Sequence, residues 1–408
     1  MEVITAVGID VSKGKSTVAA MRPGGEIVIV PYDVGHNTDE LQKLALALKL
    51  LGGEVRIVME HTSTYYLPVA TVLSAFGLFV SVVHAKLVHD FGNNSIRRGK
   101  TDKKDAIKIA NYALANWTSL APLLNQENIR QELKKLNRQV NLYTKIEVAL
   151  KNNLISLLDQ SFPGLNKLFP PVQKANGHEK WIDFATRFWH RDLVCSLSRS
   201  AFSESYRKWC KRTNCQWSAN RANMVYDHAR DAVATLPKNN ITKLMITQAT
   251  SQLNSLLETV FTLQNEMTAL ASQLPEFNAV LAMPGVGKIL APQLIAEIGD
   301  VTRFHSKRAL TAFAGLDSPP YQSGQFESKE RKISKRGSPH LRRALFRAMT
   351  MLMINQPEDD EVYQFMCKKR AEGKHYYVYM TAACNKFLRR YYGRVRDCLV
   401  EDNSLSIA

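Results

Sequence analysis

The first 120 residues change from short apolar runs to apolar residues spaced three or four apart. The runs "VITAVGID", "KSTVAAM" and "EIVIVPYDV", with turns between them, predict three consecutive antiparallel strands. The wider spacing predicts helices in "DELQKLALALKLL", "YYLPVATVLSAFG" and "DKKDAIKIANYALANW", and the strands "EVRIVME" and "LFVSVVH" alternate with them. This order predicts an α/β domain with a mixed sheet over residues 1–120.

Two long helical stripes dominate residues 121–273. The segments "NIRQELKKLNRQVNLYTKIEVALKNNLISLLDQ" and "ITKLMITQATSQLNSLLETVFTLQNEMTALASQL" place apolar residues three and four apart with few helix breakers. They predict an antiparallel helical hairpin or coiled coil that links the outer domains, and packing within one chain competes with dimerisation. The segment between them is predicted to be helical, without further assignment.

Residues 274–408 form the third predicted unit, a small and mainly helical domain. In "MPGVGKILAPQLIAEIGD", Pro284–Gly287 lie between two helical segments, which is a helix-hairpin-helix signature. Gly285 and Gly287 would let backbone N–H groups approach a phosphate, and Lys288 lies at the N-terminus of the following helix. An ordinary helix–helix turn is the alternative.

A net charge of +17 indicates the class of partner. The 408 residues are 45% hydrophobic and 22% charged, as in soluble globular proteins. Such a positive excess favours a polyanion, and nucleic acid is the commonest. The sequence shows no basic amphipathic anchor, no basic-then-apolar leader and no apolar run near the roughly 20 residues that span a bilayer. We therefore expect a cytoplasmic protein that binds DNA and no membrane.

The six cysteines are scattered and form no CxxC pair, so we expect them to be reduced thiols. His190, Cys195, Cys210 and Cys215 could form a zinc site, but their spacing matches no standard zinc motif. We therefore do not expect zinc.

Cations cluster in two stretches of the chain. "RRGKTDKKDA", residues 97–106, has five cations, and Val301–Thr350 has eleven Lys/Arg against three Asp/Glu. Ser338 and Pro339 predict the N-cap and first position of a helix, beside which cations would reach phosphates. A solvated charged face is the alternative. The residues predicted to contact nucleic acid are Lys100, Gly285, Gly287, Lys288, Lys335, Arg336, Arg342 and Arg343.

Four carboxylates lie where they could share a metal ion. Asp10 and Glu60 each end a predicted strand, and sites in open α/β sheets lie beyond strand ends. Asp102 and Asp105 begin a helix on one face. Oxygen ligands of this kind suit Mg²⁺ or Mn²⁺. Singly, each acid has an ordinary explanation, such as Asp102 as an N-cap, but the four in this order favour a metal site.

At these residues the chain resembles a known family. "GIDVSKGKSTVA", "VMEHTSTYY" and "KTDKKDAIKIA" are similar to the N-terminal motifs of the DEDD transposases of bacterial insertion sequences of the insertion-sequence-110 type. "MPGVGKILAPQLIAEIGDVTRF", "AFAGLDSPPYQSG" and "KISKRGSPHLRRALFRA" resemble its C-terminal motifs. Two departures concern loop geometry. Ser63 follows Thr62 where the family usually has Gly, and Ser338 stands where Asn is common.

The resemblance implies a fold and a reaction. It implies a RuvC-like, RNase H-like catalytic domain over residues 1–120, a coiled-coil linker over 121–273 and a C-terminal transposase domain over 274–408. The DEDD residues would be Asp10, Glu60, Asp102 and Asp105, and the nucleophile would be Ser323 in "YQSG". It further implies site-specific DNA recombination, a noncoding guide RNA in at least part of the family, and a homodimer or homotetramer.

Three functions stay open at this point. A recombinase would form a covalent serine–phosphate intermediate, with Ser323 activated by a metal that the four acids hold, since no His lies beside it in the sequence. Tyr321 is the rival nucleophile. A metal-dependent junction nuclease would need the acids but not the serine, and a non-enzymatic nucleic-acid-binding protein would need neither.

Overall fold

The computed structural model describes residues 3–61, 63–91, 101–123, 128–170, 176–319, 322–323, 326–327 and 332–405. The chain divides into two compact units, residues 1–125 and residues 126–408.

The first unit is a five-stranded sheet with helices on its two faces. The described strands and helices are β1 (Ile4–Val11), β2 (Lys15–Arg22), β3 (Glu26–Gly35), α1 (Thr38–Lys49), β4 (Glu54–Glu60), α2 (Leu67–Ala75), β5 (Phe79–Val83), α3 (Ala85–Phe91) and α4 (Asp102–Ala115). The strand order is β3-β2-β1-β4-β5. β1, β2 and β3 pair antiparallel, whereas β4 pairs parallel to β1 and β5 parallel to β4. The predicted mixed sheet is therefore confirmed.

Alternating side chains of β1 face two different cores. Val7 and Ile9 are buried on the face that α1 and α2 cover, and Ala6 is buried on the face that α4 covers. Gly8 lies under α4 so closely that an added Cβ would be 2.1 Å from the carbonyl oxygen of Ala106. A glycine at this position lets α4 pack directly on the strand that carries Asp10.

The second unit is mostly helical, as predicted. Its described helices and strands are α5 (Asn128–Ser161), α6 (Lys180–Arg187), α7 (Asp192–Cys195), α8 (Arg199–Arg212), α9 (Ala219–Asp231), α10 (Asn240–Ala271), α11 (Phe277–Leu281), α12 (Leu290–Ile298), α13 (Lys307–Phe313), β6 (Gln322–Ser323), β7 (Phe326–Glu327), α14 (Pro339–Asn355), α15 (Glu361–Ala371) and α16 (Tyr376–Leu405).

The two long stripes form α5 and α10, which pack against each other in opposite directions. Leu133 near the start of α5 shares a core with Met267 near the end of α10. Leu158 near the end of α5 shares a second core with Ile246 near the start of α10. The hairpin thus has a core at each end, and coiled-coil packing and dimerisation stay predictions.

Residues 164–239, which we call the central module, fold around the core at one end of this hairpin. Phe184, on α6, packs against Phe188, Tyr206 and Trp209, with ring centroids 4.6, 6.1 and 5.3 Å away. Clustered aromatic rings of this kind bury large apolar areas. The module therefore has an apolar core that α5 and α10 complete.

Two buried carboxylates fix the start of α5 to the core at the other end of the hairpin. Glu276 accepts hydrogen bonds from the guanidinium of Arg130, and the two side chains are 1% and 6% exposed. Glu297, on α12, is 1% exposed and accepts from Asn137 Nδ2 at 2.7 Å and from Arg138 Nη2 at 3.0 Å. Since buried charges are costly unless they are paired, these contacts hold α5 against the start of α11 and against α12.

Among the described residues, no helix is both long enough and apolar enough to span a membrane.

Candidate active site and nucleic-acid interface

Asp10 and Glu60 lie side by side at the ends of neighbouring parallel strands. The register places Ile9 of β1 beside Met59 of β4, so Asp10 and Glu60 follow at the same level of the two strands. Neighbouring strands lie about 4.8 Å apart, which sets the separation of the two backbones at this level. Both side chains are partly buried. Ile9 and Met59 belong to the core under α1 and α2, so alternation directs the two acids to the opposite face, which α4 covers. The expected meeting of strand ends is present.

Asp102 and Asp105 lie in the first turn of α4. The N-cap is Thr101, whose Oγ1 accepts from the backbone N–H of Lys104 at 3.3 Å, so the interpretation of Asp102 as an N-cap is wrong. The side chain of Asp102 is exposed and that of Asp105 is partly buried. With the cap supplied by a threonine, the two carboxylates are available for another role.

The start of α4 lies near the end of β1, since Gly8, two residues before Asp10, packs against Ala106, the residue after Asp105. The pKa of Lys15 is raised above its ordinary value, first by its hydrogen bond to Asp33 and also by the charge of Asp102. Lys15 precedes Ser16, which pairs with Val11 at the end of β1. Asp102 therefore lies on the same side of the unit as Asp10.

A fifth carboxylate, which sequence reasoning missed, lies at this end of the sheet. Asp33 on β3 accepts from Lys15 Nζ at 2.8 Å and from Thr17 Oγ1 at 2.7 Å. Thr17 pairs with Asp10 across β1 and β2. The hydrogen bond from Lys15 is the main cause that lowers the pKa of Asp33. The signal for Asp33 lay in the strand pairing, which brings distant residues together.

Carboxylate oxygens are suitable ligands for a divalent cation, so the donor chemistry of the four acids fits Mg²⁺ or Mn²⁺. Their side chains are nevertheless not gathered around one point. Across the parts of the chain that the structure describes, no three His, Cys, Asp or Glu side chains form a group that could hold a metal ion. The structure brings Asp10 and Glu60 to adjacent strand ends and places Asp102 and Asp105 on the helix above them, without closing a coordination sphere.

Ser63, the departure from the family pattern beside Glu60, has a left-handed backbone with φ of +50°. This conformation favours glycine, since a Cβ crowds the backbone there. The serine therefore keeps the turn geometry that a glycine would adopt more easily. Thr62 lies outside the described residues.

The backbone of Ser323 forms β6 and pairs with Phe326 of β7. Its side chain lies outside the described part of the chain, as do Tyr321 and Gly324. The structure therefore gives the predicted nucleophile a position in a short antiparallel ribbon and does not test its role.

The loop before α14 presents two cations. Lys335 and Arg336 are exposed. Lys335 has φ of +53°, and its backbone N–H donates to the carbonyl of Gly315 at 3.1 Å. Arg342 is partly buried, and its Nη1 donates to the carbonyls of Ala314 at 2.9 Å and Gly337 at 3.1 Å. These bonds give Arg342 a structural position under the loop, which the sequence did not indicate.

Ser338 caps α14, as predicted. Its Oγ accepts from the backbone N–H of Leu341 at 3.2 Å and donates to Glu297 Oε2 at 3.0 Å. The serine that departs from the family pattern therefore joins the helix start to the buried carboxylate on α12.

The loop between α11 and α12 has two different glycines. Gly285 has φ of +78°, and an added Cβ would be 2.7 Å from the carbonyl oxygen of Ala348, so helix packing alone requires a glycine. Gly287 and Lys288 are exposed, and nothing lies near the position of a Cβ at Gly287. The helix-hairpin-helix interpretation and phosphate contact stay predictions.

A cavity of about 560 Å³ lies beside this loop. Residues 285–290 line one side, and Arg347, Thr350 and Met351 of α14 line the other. Lys288 and Arg347 give the cavity two cations, which suits an anionic partner.

The remaining predicted contacts are scattered. Arg343 is exposed, and its Nη1 donates to Asn141 Oδ1 at 3.4 Å. Lys100 lies outside the described residues. None of the six cysteines, all of which lie within the described residues, forms a disulfide bond. His190, one of the four residues considered for zinc, contacts the carbonyl of Leu236 at 3.0 Å, and no described group that could hold a metal includes it.

Comparison with known proteins identifies the family. Residues 7–163 match the family DEDD_Tnp_IS110, described as "Transposase", and residues 278–364 match "Transposase IS116/IS110/IS902 family". The chain belongs to the IS110 family of DEDD transposases. As a member of that family, it is a transposase of an insertion sequence, and the recognition of its motifs in the sequence is confirmed.

Two relatives match most of the length of this transposase, and a third matches about a third of it. The Insertion element IS110 uncharacterized 43.6 kDa protein of Streptomyces coelicolor is 22% identical over 90% of this chain and 88% of that protein. The Insertion element IS116 uncharacterized 44.8 kDa protein of Streptomyces clavuligerus is 25% identical, with the same coverage. The Pilin gene-inverting protein of Moraxella bovis is 29% identical over 34% of this chain and 44% of that protein.

Among solved structures, one that matches is Thermus thermophilus RuvC in complex with a Holliday junction substrate. The match covers 29% of this transposase and 99% of the RuvC chain. The identity is 12% and the TM-score is 0.23, which is too low to establish a common fold.

Proposed function

We propose that this transposase cuts and rejoins DNA strands at an insertion site, with Asp10, Glu60, Asp102 and Asp105 holding Mg²⁺ or Mn²⁺ in a RuvC-like catalytic domain. The observation that carries the proposal is the placement of these acids. Asp10 and Glu60 lie at the same level on adjacent strands, and they face the helix whose first turn contains the other two.

The surrounding residues have positioning roles. Gly8 lets α4 lie directly on β1, and Thr101 satisfies the helix end so that Asp102 is not used as a cap. Lys15 and Thr17 hold Asp33 in place. When bound by the acids, the cation supplies charge stabilisation for the scissile phosphate.

We further propose Ser323 as the nucleophile, on the strength of its place in "YQSG". The Oγ–phosphorus bond would form while one phosphorus–oxygen bond to the deoxyribose breaks, and the hydroxyl proton would end on the leaving sugar oxygen. The phosphoserine ester keeps the energy of the phosphodiester, so a second DNA end can displace the serine without ATP.

A noncoding guide RNA and a homodimeric or homotetrameric assembly complete the proposal. Both rest on the family resemblance, and the net charge of +17 favours a polyanionic partner of either kind, DNA or RNA.

The experiment that tests the acid site is Asp102→Asn, with strand cleavage measured in Mg²⁺ and DNA binding measured in EDTA on the same preparation. Cleavage should be lost while binding is kept, because without a bound cation the removal of a negative charge cannot weaken attraction to phosphate. Asp39→Asn is the matched control, since Asp39 is an exposed acid in the first turn of α1. Cleavage near the wild-type rate in Asp102→Asn would refute the proposed site.

A further inference from the structure

The central module has no role in the proposed reaction and lies between the two family matches, which end at residue 163 and resume at residue 278. It nevertheless has a marked excess of positive charge. Residues 164–239 have 13 Lys/Arg against 6 Asp/Glu, an excess of seven charges out of +17 in less than a fifth of the sequence. A local excess of this kind attracts a polyanion.

Part of this charge serves the module's own structure. Arg221 Nη1 donates to the carbonyl of Leu168 at 2.6 Å, Arg191 Nε donates to that of Ala229 at 2.8 Å, and Arg199 Nη1 lies 3.0 Å from Asp227 Oδ2. These three cations connect helices within the module. They are therefore not available for a ligand.

Other cations of the module are exposed and unused. Arg187 at the end of α6, and Lys211 and Arg212 at the end of α8, are exposed side chains. In the described ranges, none of the three has a hydrogen-bond or ion-pair partner. Each of the three lies in the last turn of its helix, where a cation is favourable, but no hydrogen bond or ion pair within the described residues uses its charge.

Two of these arginines line a polar groove. Arg187 and Arg212 border an open cavity of about 590 Å³, together with Asn214 and Asn254, whose amide groups can donate hydrogen bonds, and with the carboxylate of Asp183. The Nδ2 of Asn254 donates to Asp183 at 3.1 Å, and its Oδ1 has no hydrogen-bond partner within the described residues. The groove therefore offers cations and donors for phosphate, and an acceptor for a nucleotide's N–H groups.

An exposed aromatic side chain follows the groove in the chain. Trp217 is 42% exposed, whereas Trp181, Trp189 and Trp209 are between 5% and 7% exposed. The guanidinium of Arg207 lies 6.0 Å from the centroid of its ring. Arg207 is on the same helix as Lys211 and Arg212. An exposed aromatic ring near cations is a surface on which proteins stack unpaired bases.

We propose that the central module binds a single strand of nucleic acid, with its phosphates at Arg187, Lys211 and Arg212 and a base stacked on Trp217. The inference rests on the proposed function only in taking nucleic acid as the partner. Binding through this module does not require the acids or Ser323, so it can be tested in EDTA, where no metal-dependent cleavage occurs.

The experiment measures binding of the full-length protein to a short labelled oligo(dT), an oligo(U) and a hairpin duplex over a range of salt concentrations. The variant Arg187→Gln/Arg212→Gln should bind the single strands more weakly. The slope of the logarithm of the binding constant against the logarithm of the salt concentration should be shallower by about 1.4, because each lost phosphate contact to a single strand removes about 0.7. Lys167→Gln/Arg230→Gln removes the same charge from exposed positions of the module outside the groove lining and should leave the slope unchanged.

Tryptophan fluorescence reports this surface separately from other nucleic-acid contacts of the protein. Single strands should quench the emission, Trp217→Phe should remove most of that quenching, and Trp217→Ala should weaken binding about tenfold. Circular dichroism checks that each variant is folded. Equal salt slopes for the arginine and control variants, or quenching that survives in Trp217→Phe, would overturn the proposal. An effect seen with the duplex and not with the single strands would overturn the single-strand assignment.

Discussion

Gly8→Ala moves the acids of the proposed site apart without changing any of them. The new Cβ would lie 2.1 Å from the carbonyl oxygen of Ala106 and 2.4 Å from the backbone nitrogen of Ala110. Ordinary contact begins at 3.4 Å, so α4 must shift from β1 by about 1.3 Å. Both close atoms belong to the helix backbone, so no side-chain rotation can relieve the contact.

The shift should affect activity more than stability. Overpacking of a core costs about 1–3 kcal/mol of the free energy of unfolding, whereas a displacement of about 1 Å in a reacting site can lower the rate about 100-fold. We expect Gly8→Ala to remain folded at 25 °C and to cleave DNA about 100-fold more slowly. The assay pairs urea unfolding with single-turnover strand cleavage in Mg²⁺.

Ala45→Val is the matched control. Ala45 is fully buried on α1, on the opposite face of the sheet, so the substitution overpacks the same unit without moving α4. It should lose comparable stability and keep its cleavage rate. Wild-type cleavage in Gly8→Ala, or equal losses of cleavage in the two variants, would refute the claim that α4 positions the catalytic acids.

Three further predictions concern the basic loop, a strained turn and a buried phenol. Lys335→Ala/Arg336→Ala should make the slope of the logarithm of the duplex binding constant against the logarithm of the salt concentration shallower by about 1.8. An unchanged slope would mean that these exposed cations are only solvated. Ser63→Gly should raise the free energy of unfolding by about 1 kcal/mol, because φ is +50° there, and a loss of stability would contradict this reading of the turn. Burial raises the pKa of Tyr391, so its stabilising contribution is complete below pH about 10 and is lost as the pH rises further. Tyr391→Phe should therefore lose less stability in alkali than wild type, and it should be no less stable at pH 7 because the hydroxyl has no hydrogen-bond partner within the described residues.

Local sequence patterns predicted the elements of the first unit well. The boundaries of β4 agree with "EVRIVME", and α4 begins with "DKKDAIKIANYALANW" and ends two residues before that segment does, at Ala115. Alternation and helical spacing report which side chains a core will bury. Helix α3 was not predicted, and its seven residues contain a single buried one, Val88. So short an element gives no periodic signal.

The acids of the candidate site that lie at strand ends could be predicted from the sequence. The residue that reaches the site through the pairing of distant strands could not. Asp10 and Glu60 could be placed because each follows an apolar run. Asp33 could not, since it reaches this end of the sheet through the register of β3 with β2, and no local pattern fixes a register between distant strands. The structural use of Arg342 was hidden for a similar reason, because its partners are backbone carbonyls of another turn.

The central module is the part of the chain whose structure could be predicted least from the sequence. Its helices are short, and its core is aromatic: Phe184 and Tyr206 pack across elements rather than along one helical face. Aromatic residues spaced irregularly give a weak periodic signal, although together they bury a large apolar area.

Trapping a covalent protein–DNA adduct tests the proposed reaction most directly. Wild-type protein is incubated with end-labelled DNA and Mg²⁺, with guide RNA from the neighbouring noncoding DNA, then denatured and digested. We predict label that survives denaturation on the peptide containing "YQSG", and none in Ser323→Ala, which should also lose recombination. DNA cleavage by Ser323→Ala, with no protein-bound label in wild type, would show that water is the nucleophile and that the protein is a junction nuclease. Label on Tyr321 would contradict the assignment of the serine.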